Sequence, residues 1–180
     1  MDRIGLITLQ AEVTDDVRAA TEAATLAGQR LDQGDDSGLE SCAYQLARTF
    51  NIIEQMGLRI AKAFENHIDD ERGWHAELVH RLSIAVPGIR PAFYEPDISP
   101  ALRDLRGFRH VVGHASTSEV RSLTYAIEGN YPKLVAKAVE LRNTAMRTGQ
   151  LVVGLIRSPK SRKSRLAIFL PPLIAILSVR

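Results

Sequence analysis

The apolar residues between Leu39 and Phe64 recur every three or four positions over roughly seven helical turns. That spacing places them along one face of an α-helix, and a stripe this long can be buried only against other helices. Short runs rich in Val, Ile and Thr are few in the 180 residues, which argues against a sheet. We therefore predict an all-α fold, an antiparallel up-and-down helical bundle whose spine is Leu39, Ala43, Leu46, Phe50, Ile53, Met56, Ile60 and Phe64.

A first helix precedes this spine, and a turn separates the two. A narrow face rich in alanine predicts a helix that begins at Ile4 or Ala11 and ends near Arg30. Ser37 and Glu40 have the spacing of a capping box, in which each side chain accepts a hydrogen bond from the other residue's backbone N–H. We therefore expect Ser37 to cap the spine helix.

A third helix is predicted to follow the acidic residues 69–71, because negative charge is favourable at a helix N-terminus. It should end at Pro87. Four prolines within the fourteen residues 87–100 then predict an extended crossing. The inner face of the third helix is expected to consist of Trp74, Leu78, Leu82 and Ala85.

Ser99 and Pro100 favour the start of a fourth helix, with serine as cap and proline at the first helical position. Its apolar stripe is Leu102, Leu105, Phe108 and Val112. The other faces are basic, with a single acid at Asp104. They carry Arg103, Arg106, Arg109, His110 and His114. Two interpretations remain open at this point, a solvated basic surface or a functional site.

Apolar periodicity continues through residues 120–127 and in a last helix from Pro132 to about Met146. We place the domain boundary there, with the bundle at 1–148 and a poorly ordered tail at 149–180. From Leu151 onwards the chain has six basic residues and no acid, whereas the first 150 residues have 17 basic and 21 acidic. The net charge of +2 therefore belongs to the tail, and the bundle is mildly acidic.

The tail ends in an almost wholly apolar stretch of fourteen residues, 166–179, interrupted by a double proline. This stretch is too short and too broken to span a bilayer. A basic run followed by an apolar one is also typical of segments that lie on an anionic membrane surface. A peripheral membrane role is thus one alternative, but it depends on the tail alone and we do not favour it.

The remaining features limit the chemistry. The single cysteine, Cys42, lies in an apolar helical pattern, so we expect a core residue in a reducing cytoplasm and no disulfide. The N-terminus lacks a secretory pattern. There is no glycine-rich phosphate loop and no clear metal-ligand cluster, so we expect neither metal nor cofactor. The remaining histidines are expected at the surface, namely His67, His75 and His80.

Arginine and histidine together suit RNA cleavage without a metal. A guanidinium can hold a phosphate and stabilise the charge of a phosphorane, and an imidazole can take a proton from the 2′-OH or give one to the 5′-oxygen. Arg109 and His114 are five residues apart, about 140° around an ideal helix, so they do not share a face. Arg106, His110 and His114 do share one, at steps of four.

The segment from Arg109 to His114, Arg-His-Val-Val-Gly-His, resembles the R-x4-6-H signature of HEPN ribonucleases. The surrounding sequence is similar to the HepT-like branch, the toxin half of HEPN/MNT toxin–antitoxin pairs. The similar segments are Trp74-His75 to Leu78, Val86 to Pro91 and Leu105 to Val112. The resemblance spans roughly residues 6–147.

The resemblance implies a homodimer in which the two motifs meet in a cleft between subunits, and metal-independent cleavage of RNA that leaves a 2′,3′-cyclic phosphate. It implies that Arg109 stabilises the phosphate and His114 transfers a proton. Arg106, His110 and Ser116 are the expected supporting or RNA-binding residues. An MNT-type nucleotidyltransferase antitoxin is the implied partner.

One position departs from the family pattern. Many relatives carry a tyrosine two residues after the histidine, which the partner nucleotidyltransferase adenylylates, and here that residue is Ser116. We predict an endoribonuclease toxin. The alternative is a catalytically inactive HEPN module that binds the nucleotidyltransferase.

Overall fold

The structure is a computed structural model that describes residues 3–65, 74–95, 97–114 and 130–157. These residues form five α-helices and contain no strand, only an isolated bridge between Val86 and Arg90. The helices are α1 (Arg3–Leu31), α2 (Asp36–Glu65), α3 (Trp74–Ser83), α4 (Ser99–His114) and α5 (Tyr131–Arg157). The predicted all-α bundle is confirmed.

The core lies between α1, α2 and α5, and α4 packs against α2 and α5 while α3 packs against α2. Seven of the eight residues of the predicted α2 stripe are buried, and Phe64 packs half-buried beside them. The connection between α1 and α2 is short, which makes these two helices antiparallel neighbours. The spine identified from its spacing is therefore the centre of the fold.

Small residues allow α1 to approach its neighbours closely, as its alanine-rich face predicted. Ala20, Ala24 and Ala27 are at most 1% exposed. A Cβ at Gly149 of α5 would lie only 2.9 Å from a methyl carbon of Val17. The longer of the two predicted starts is confirmed, since α1 is helical from Arg3.

The cap of α2 differs from the prediction. The Gly38 backbone N–H donates to Asp35 Oδ1 at 2.7 Å, and the Leu39 N–H donates to the Asp35 carbonyl at 2.9 Å. Asp35 is therefore the N-cap, and the predicted capping box of Ser37 and Glu40 is wrong. The helix begins at Asp36, so Ser37 already lies inside its first turn.

Helix α5 extends past the predicted end near Met146 to Arg157. Val152 is 1% exposed and lies in the core, so the start of the predicted tail is helical and packed. The division into bundle and tail otherwise stays a prediction. Within the described ranges, no helix combines the length and apolar character needed to cross a membrane.

The predicted extended crossing from α3 to α4 is not extended throughout, because residues 86–90 form a tight turn in which the Val86 N–H donates to the Arg90 carbonyl at 2.9 Å and the Arg90 N–H donates to the Val86 carbonyl at 3.0 Å. A buried arginine anchors this crossing. Arg90 is 5% exposed, and its guanidinium donates to the carbonyls of Arg81 at 2.8 Å and Ile84 at 2.7 Å. These carbonyls lie at the end of α3, where positive charge is favourable. Helix α3 ends at Ser83, so the prediction that Ala85 faces inward is wrong, and Ala85 is exposed.

Several predictions fall outside the described residues. They concern His67, the acidic helix start at 69–71, Ser116, the periodic stretch 120–127 and the tail from 158 to 180.

Candidate functional site

Helix α4 buries its predicted apolar stripe and presents its basic residues on the outside. Leu102, Leu105 and Phe108 are at most 6% exposed. Arg106, Arg109 and His110 are exposed. The helix begins at Ser99, one residue earlier than predicted: the Leu102 N–H donates to the Ile98 carbonyl at 3.1 Å, so Ile98 is at the cap position and Ser99 and Pro100 are the first two helical residues. The predicted cap at Ser99 is therefore wrong, and the helix is regular through Gly113 to His114.

Two residues of α2, one turn apart, hold the Arg109 side chain. Its guanidinium carbon lies 5.6 Å from the centroid of the Phe50 ring, within range of a cation–π contact. Its Nη1 donates to Glu54 Oε2 at 3.4 Å. The side chain is nevertheless 44% exposed, so its other N–H donors are positioned to bind an anion.

Glu54 also contacts a histidine of a third helix. Its Oε1 pairs with Nδ1 of His75, and its side chain is only 10% exposed. The His75 side chain is 23% exposed, and its ring stacks on Trp74 with centroids 3.7 Å apart. The prediction that His75 is a surface residue is therefore wrong, whereas Trp74 packs against the core as expected.

A cavity of about 610 Å³ brings these groups together. Arg106, Arg109 and His110 of α4 line it, with Arg48 of α2 and His75 of α3. No aspartate or glutamate is among the described residues of its lining. Glu54 contacts Arg109 and His75, and Glu22 pairs with Arg48 at 3.6 Å, but the three arginines of the lining outnumber these two acids, which favours a phosphate in this cavity.

The structure places Arg106, Arg109 and His110 in the lining of one cavity, but it does not test their predicted roles. His114 is the last residue of α4, five positions after Arg109 and four after His110. Because α4 is regular, the backbone at position 114 lies on the same helix face as positions 106 and 110. Ser116 is outside the described residues.

Sequence reasoning missed Glu54, His75, Phe50 and Tyr44 as parts of this site. Tyr44 is 63% exposed and lines the cavity beside Arg48. Glu54 did carry a signal, because it is an acid directly beside the buried α2 stripe, four residues after Phe50 and three before the buried Gly57. A carboxylate in such a place requires a partner, although its position does not reveal which one.

An apolar groove of about 550 Å³ adjoins the basic cavity between α3 and α4. Leu78, Val79 and Leu102 line it, and it shares His75 and Arg106 with the basic cavity. Tyr94 also lines this groove and is fully buried. Burial raises the pKa of its phenol, and the nearby charges of Glu54 and Asp16 raise it further. The phenol therefore stays neutral, and it donates to the Ile53 carbonyl at 3.0 Å.

Cys42 is fully buried, and burial raises the pKa of its thiol to about 12, which confirms a core residue and not a nucleophile. Across the four described segments, no group of three or more His, Cys, Asp or Glu residues is arranged to hold a metal ion.

Comparison with protein families matches residues 41–143 to the family described as HepT-like protein. Comparisons with curated proteins and with solved structures gave no match. The matched range is more than half of the chain and contains Glu54, His75 and the whole of α4. The chain therefore belongs to the HepT-like family.

Proposed function

We propose that this protein is a metal-independent endoribonuclease toxin that cleaves RNA through attack of a ribose 2′-OH on the adjacent phosphate. The products are a 2′,3′-cyclic phosphate and a 5′-OH. The observation that carries this proposal is Arg109, half-exposed and held by Phe50 and Glu54 at a cavity whose charged lining is cationic. Membership of the HepT-like family supports it.

The residues have distinct roles in this reaction. The phosphorane formed by 2′-OH attack carries additional negative charge, and the Arg109 guanidinium stabilises it. His114, five residues later, transfers a proton at one of the reacting oxygens. Arg106 and His110 line the same cavity and hold flanking phosphates, and we assign Ser116 a supporting role.

The proposal includes two partners. One is a second copy of the chain, so that two R-x4-H motifs meet in a shared cleft. The other is an MNT-type nucleotidyltransferase that neutralises the toxin. Both are supported by the resemblance of the α4 segment to the HEPN signature and by the family membership.

The test is cleavage of end-labelled RNA in EDTA by the parent protein, Arg109→Ala and His114→Ala. Arg18→Ala is the matched control, because Arg18 is an exposed arginine of α1 that is 70% exposed and pairs with Asp15. We expect fragments ending in cyclic phosphate from the parent and the control. Each of the two site variants should cut at least about 100-fold more slowly than the parent.

Two outcomes would contradict the proposal. Equal cleavage by the parent and His114→Ala would indicate a contaminating nuclease or a different site. Absence of cleavage by all four proteins, with the parent folded and dimeric, would favour the second candidate, an inactive module that binds the nucleotidyltransferase. Co-purification with that enzyme would then be the next measurement.

A further inference from the structure

The Glu54 carboxylate joins two side chains that the proposed reaction can use. One oxygen accepts from Arg109 of α4 at 3.4 Å, and the other contacts Nδ1 of His75 of α3. Both of these side chains line the basic cavity. Three helices thus converge on the carboxylate of one side chain that is 10% exposed.

We propose that His75 is a second proton-transfer residue at this site, and that it protonates the 5′-oxygen leaving group. This inference rests on the proposed ribonuclease function. Cleavage by 2′-OH attack needs both a base for the 2′-OH and an acid for the leaving oxygen. The family motif, Arg109 to His114, provides His114 for one of these roles. It assigns no residue of α3 to the other role.

The contact with Glu54 determines which nitrogen of His75 acts. We assign the hydrogen of this contact to Nδ1, because a carboxylate oxygen accepts hydrogen bonds, and this assignment leaves Nε2 as the atom that exchanges a proton with substrate. Stacking on Trp74 holds the plane of the ring, with 27° between the two planes. The ring is thereby fixed in the way that a catalytic imidazole requires.

Charge explains why this histidine is paired with an acid. An imidazolium at His75 adds positive charge to a cavity that Arg106 and Arg109 already line. Repulsion from these arginines opposes that charge, and the Glu54 carboxylate in direct contact offsets it.

The step balances. A bond forms between the 2′-oxygen and phosphorus while the bond between phosphorus and the 5′-oxygen breaks. The 2′-OH proton passes to His114, and the proton on Nε2 of His75 passes to the 5′-oxygen. His75 ends neutral and His114 ends protonated, and exchange with water restores both.

The test compares two RNA substrates with one cleavable linkage, which differ only in the leaving atom. One has the natural 5′-oxygen and the other a 5′-bridging sulfur. A thiolate leaves without being protonated, because a thiol is a far stronger acid than an alcohol. A variant that lacks only the general acid is therefore rescued by sulfur, whereas a variant that lacks the base is not.

We expect His75→Ala to cut the oxygen substrate at least about 100-fold more slowly than the parent and the sulfur substrate within about fivefold of it. His114→Ala should be impaired on both substrates. His80→Ala is the matched control, an exposed histidine five residues later on the same helix, and both of its rates should equal those of the parent. His75→Asn keeps an N–H near the Nδ1 position but cannot transfer a proton, so it should reproduce the His75→Ala pattern in a chain that retains the Glu54 contact.

The outcomes separate the two proposals. If the parent cleaves and His75→Ala matches it on the oxygen substrate, the inference about His75 fails while the ribonuclease function stands. If the cleavage rates of both His75 variants fall equally on the oxygen and sulfur substrates, His75 serves only to hold α3 against α2, and the inference also fails. If the parent cuts neither substrate, the proposed function itself fails.

Discussion

Gly57 lies on α2 where that helix meets the crossing before α4, and Gly57→Ala should destabilise the fold. A Cβ at this position would lie 2.5 Å from Tyr94 Oη and 3.0 Å from Leu82 Cδ1. Non-bonded carbon atoms pack at about 3.5–4.0 Å. Tyr94 and Leu82 are at most 1% exposed, so neither side chain can move into solvent to relieve the contact.

The expected magnitude combines opposing effects. Alanine is favoured over glycine in a helix by about 1 kcal/mol. Overpacking a well-filled core costs about 1–3 kcal/mol, and a displaced Tyr94 hydroxyl also loses its 3.0 Å hydrogen bond to Ile53, a further cost of about 1 kcal/mol. We therefore expect a net decrease of about 1–3 kcal/mol in the free energy of unfolding.

The assay is urea denaturation followed by circular dichroism, with Gly107→Ala as the matched control. Gly107 is a helical glycine of α4 with no atom within 4 Å of an added Cβ, so alanine there should stabilise by about 0.5–1 kcal/mol.

Tyr94→Phe alone should cost about 1 kcal/mol. In the double variant with Gly57→Ala, the missing hydroxyl leaves room for the methyl group, so the combined loss should be smaller than the sum by about 1 kcal/mol or more. A Gly57→Ala protein as stable as the parent, or losses that simply add, would refute this reasoning.

Four further predictions concern single residues. Arg90→Lys keeps the charge but not the contact that two guanidinium nitrogens make with the end of α3, so it should lower the free energy of unfolding by about 1–3 kcal/mol. An unchanged midpoint in urea melts would contradict this. Asp35→Ala removes the cap of α2 and should lower the free energy of unfolding by about 1 kcal/mol, and Asp35→Asn should lower it less. Equal urea melts for the parent and both variants would show that the cap contributes nothing. Because the pKa of the Cys42 thiol is raised to about 12, a disulfide reagent at pH 8 should label it only once urea has unfolded the chain, and stoichiometric labelling of native protein would contradict this. Tyr44→Ala should raise KM for RNA several-fold with kcat unchanged if this exposed ring stacks on a base, and an unchanged KM would remove it from the binding surface.

The sequence predicted those features of the fold that depend on local spacing. The α2 stripe and the alanine-rich face of α1 follow from residues a few positions apart, and both are confirmed, whereas the Ser-Pro pair predicted the start of α4 only to within one residue. The end of α5 was missed because the charge composition changes from Leu151 onwards, while Val152 still reaches the core. The cap of α2 was missed because Asp35 and Ser37 are both good capping residues, and only the path of the turn decides between them.

The candidate site was predicted in part for the same reason. Arg106, Arg109 and His110 lie on one helix, so their proximity follows from the helical repeat. Glu54 is separated from His75 by 21 residues and from Arg109 by 55. Its contacts exist only because α3 and α4 both pack against α2, and helix spacing within a single element carries no information about such packing.

Because the contacts of Glu54 depend on how the helices pack, a substitution that disturbs the packing near Glu54 should also lower activity. Gly57 lies three residues after Glu54 on α2, and the Tyr94 hydroxyl donates to the carbonyl of the residue before Glu54. If the methyl group of Gly57→Ala pushes Tyr94 and α2 apart, the Glu54 carboxylate shifts relative to Arg109 and His75. A displacement of about 1 Å at a catalytic group can cost about 100-fold in rate.

We therefore expect Gly57→Ala to cut RNA at least about tenfold more slowly than the parent, measured at a temperature where both proteins are fully folded. Adding Tyr94→Phe should restore much of the rate, because it removes the contact that forces the shift. Gly107→Ala should keep the parental rate, since its added methyl group meets no neighbour. Full activity in folded Gly57→Ala would contradict this coupling between the contact of residue 57 with Tyr94 and the position of the Glu54 carboxylate.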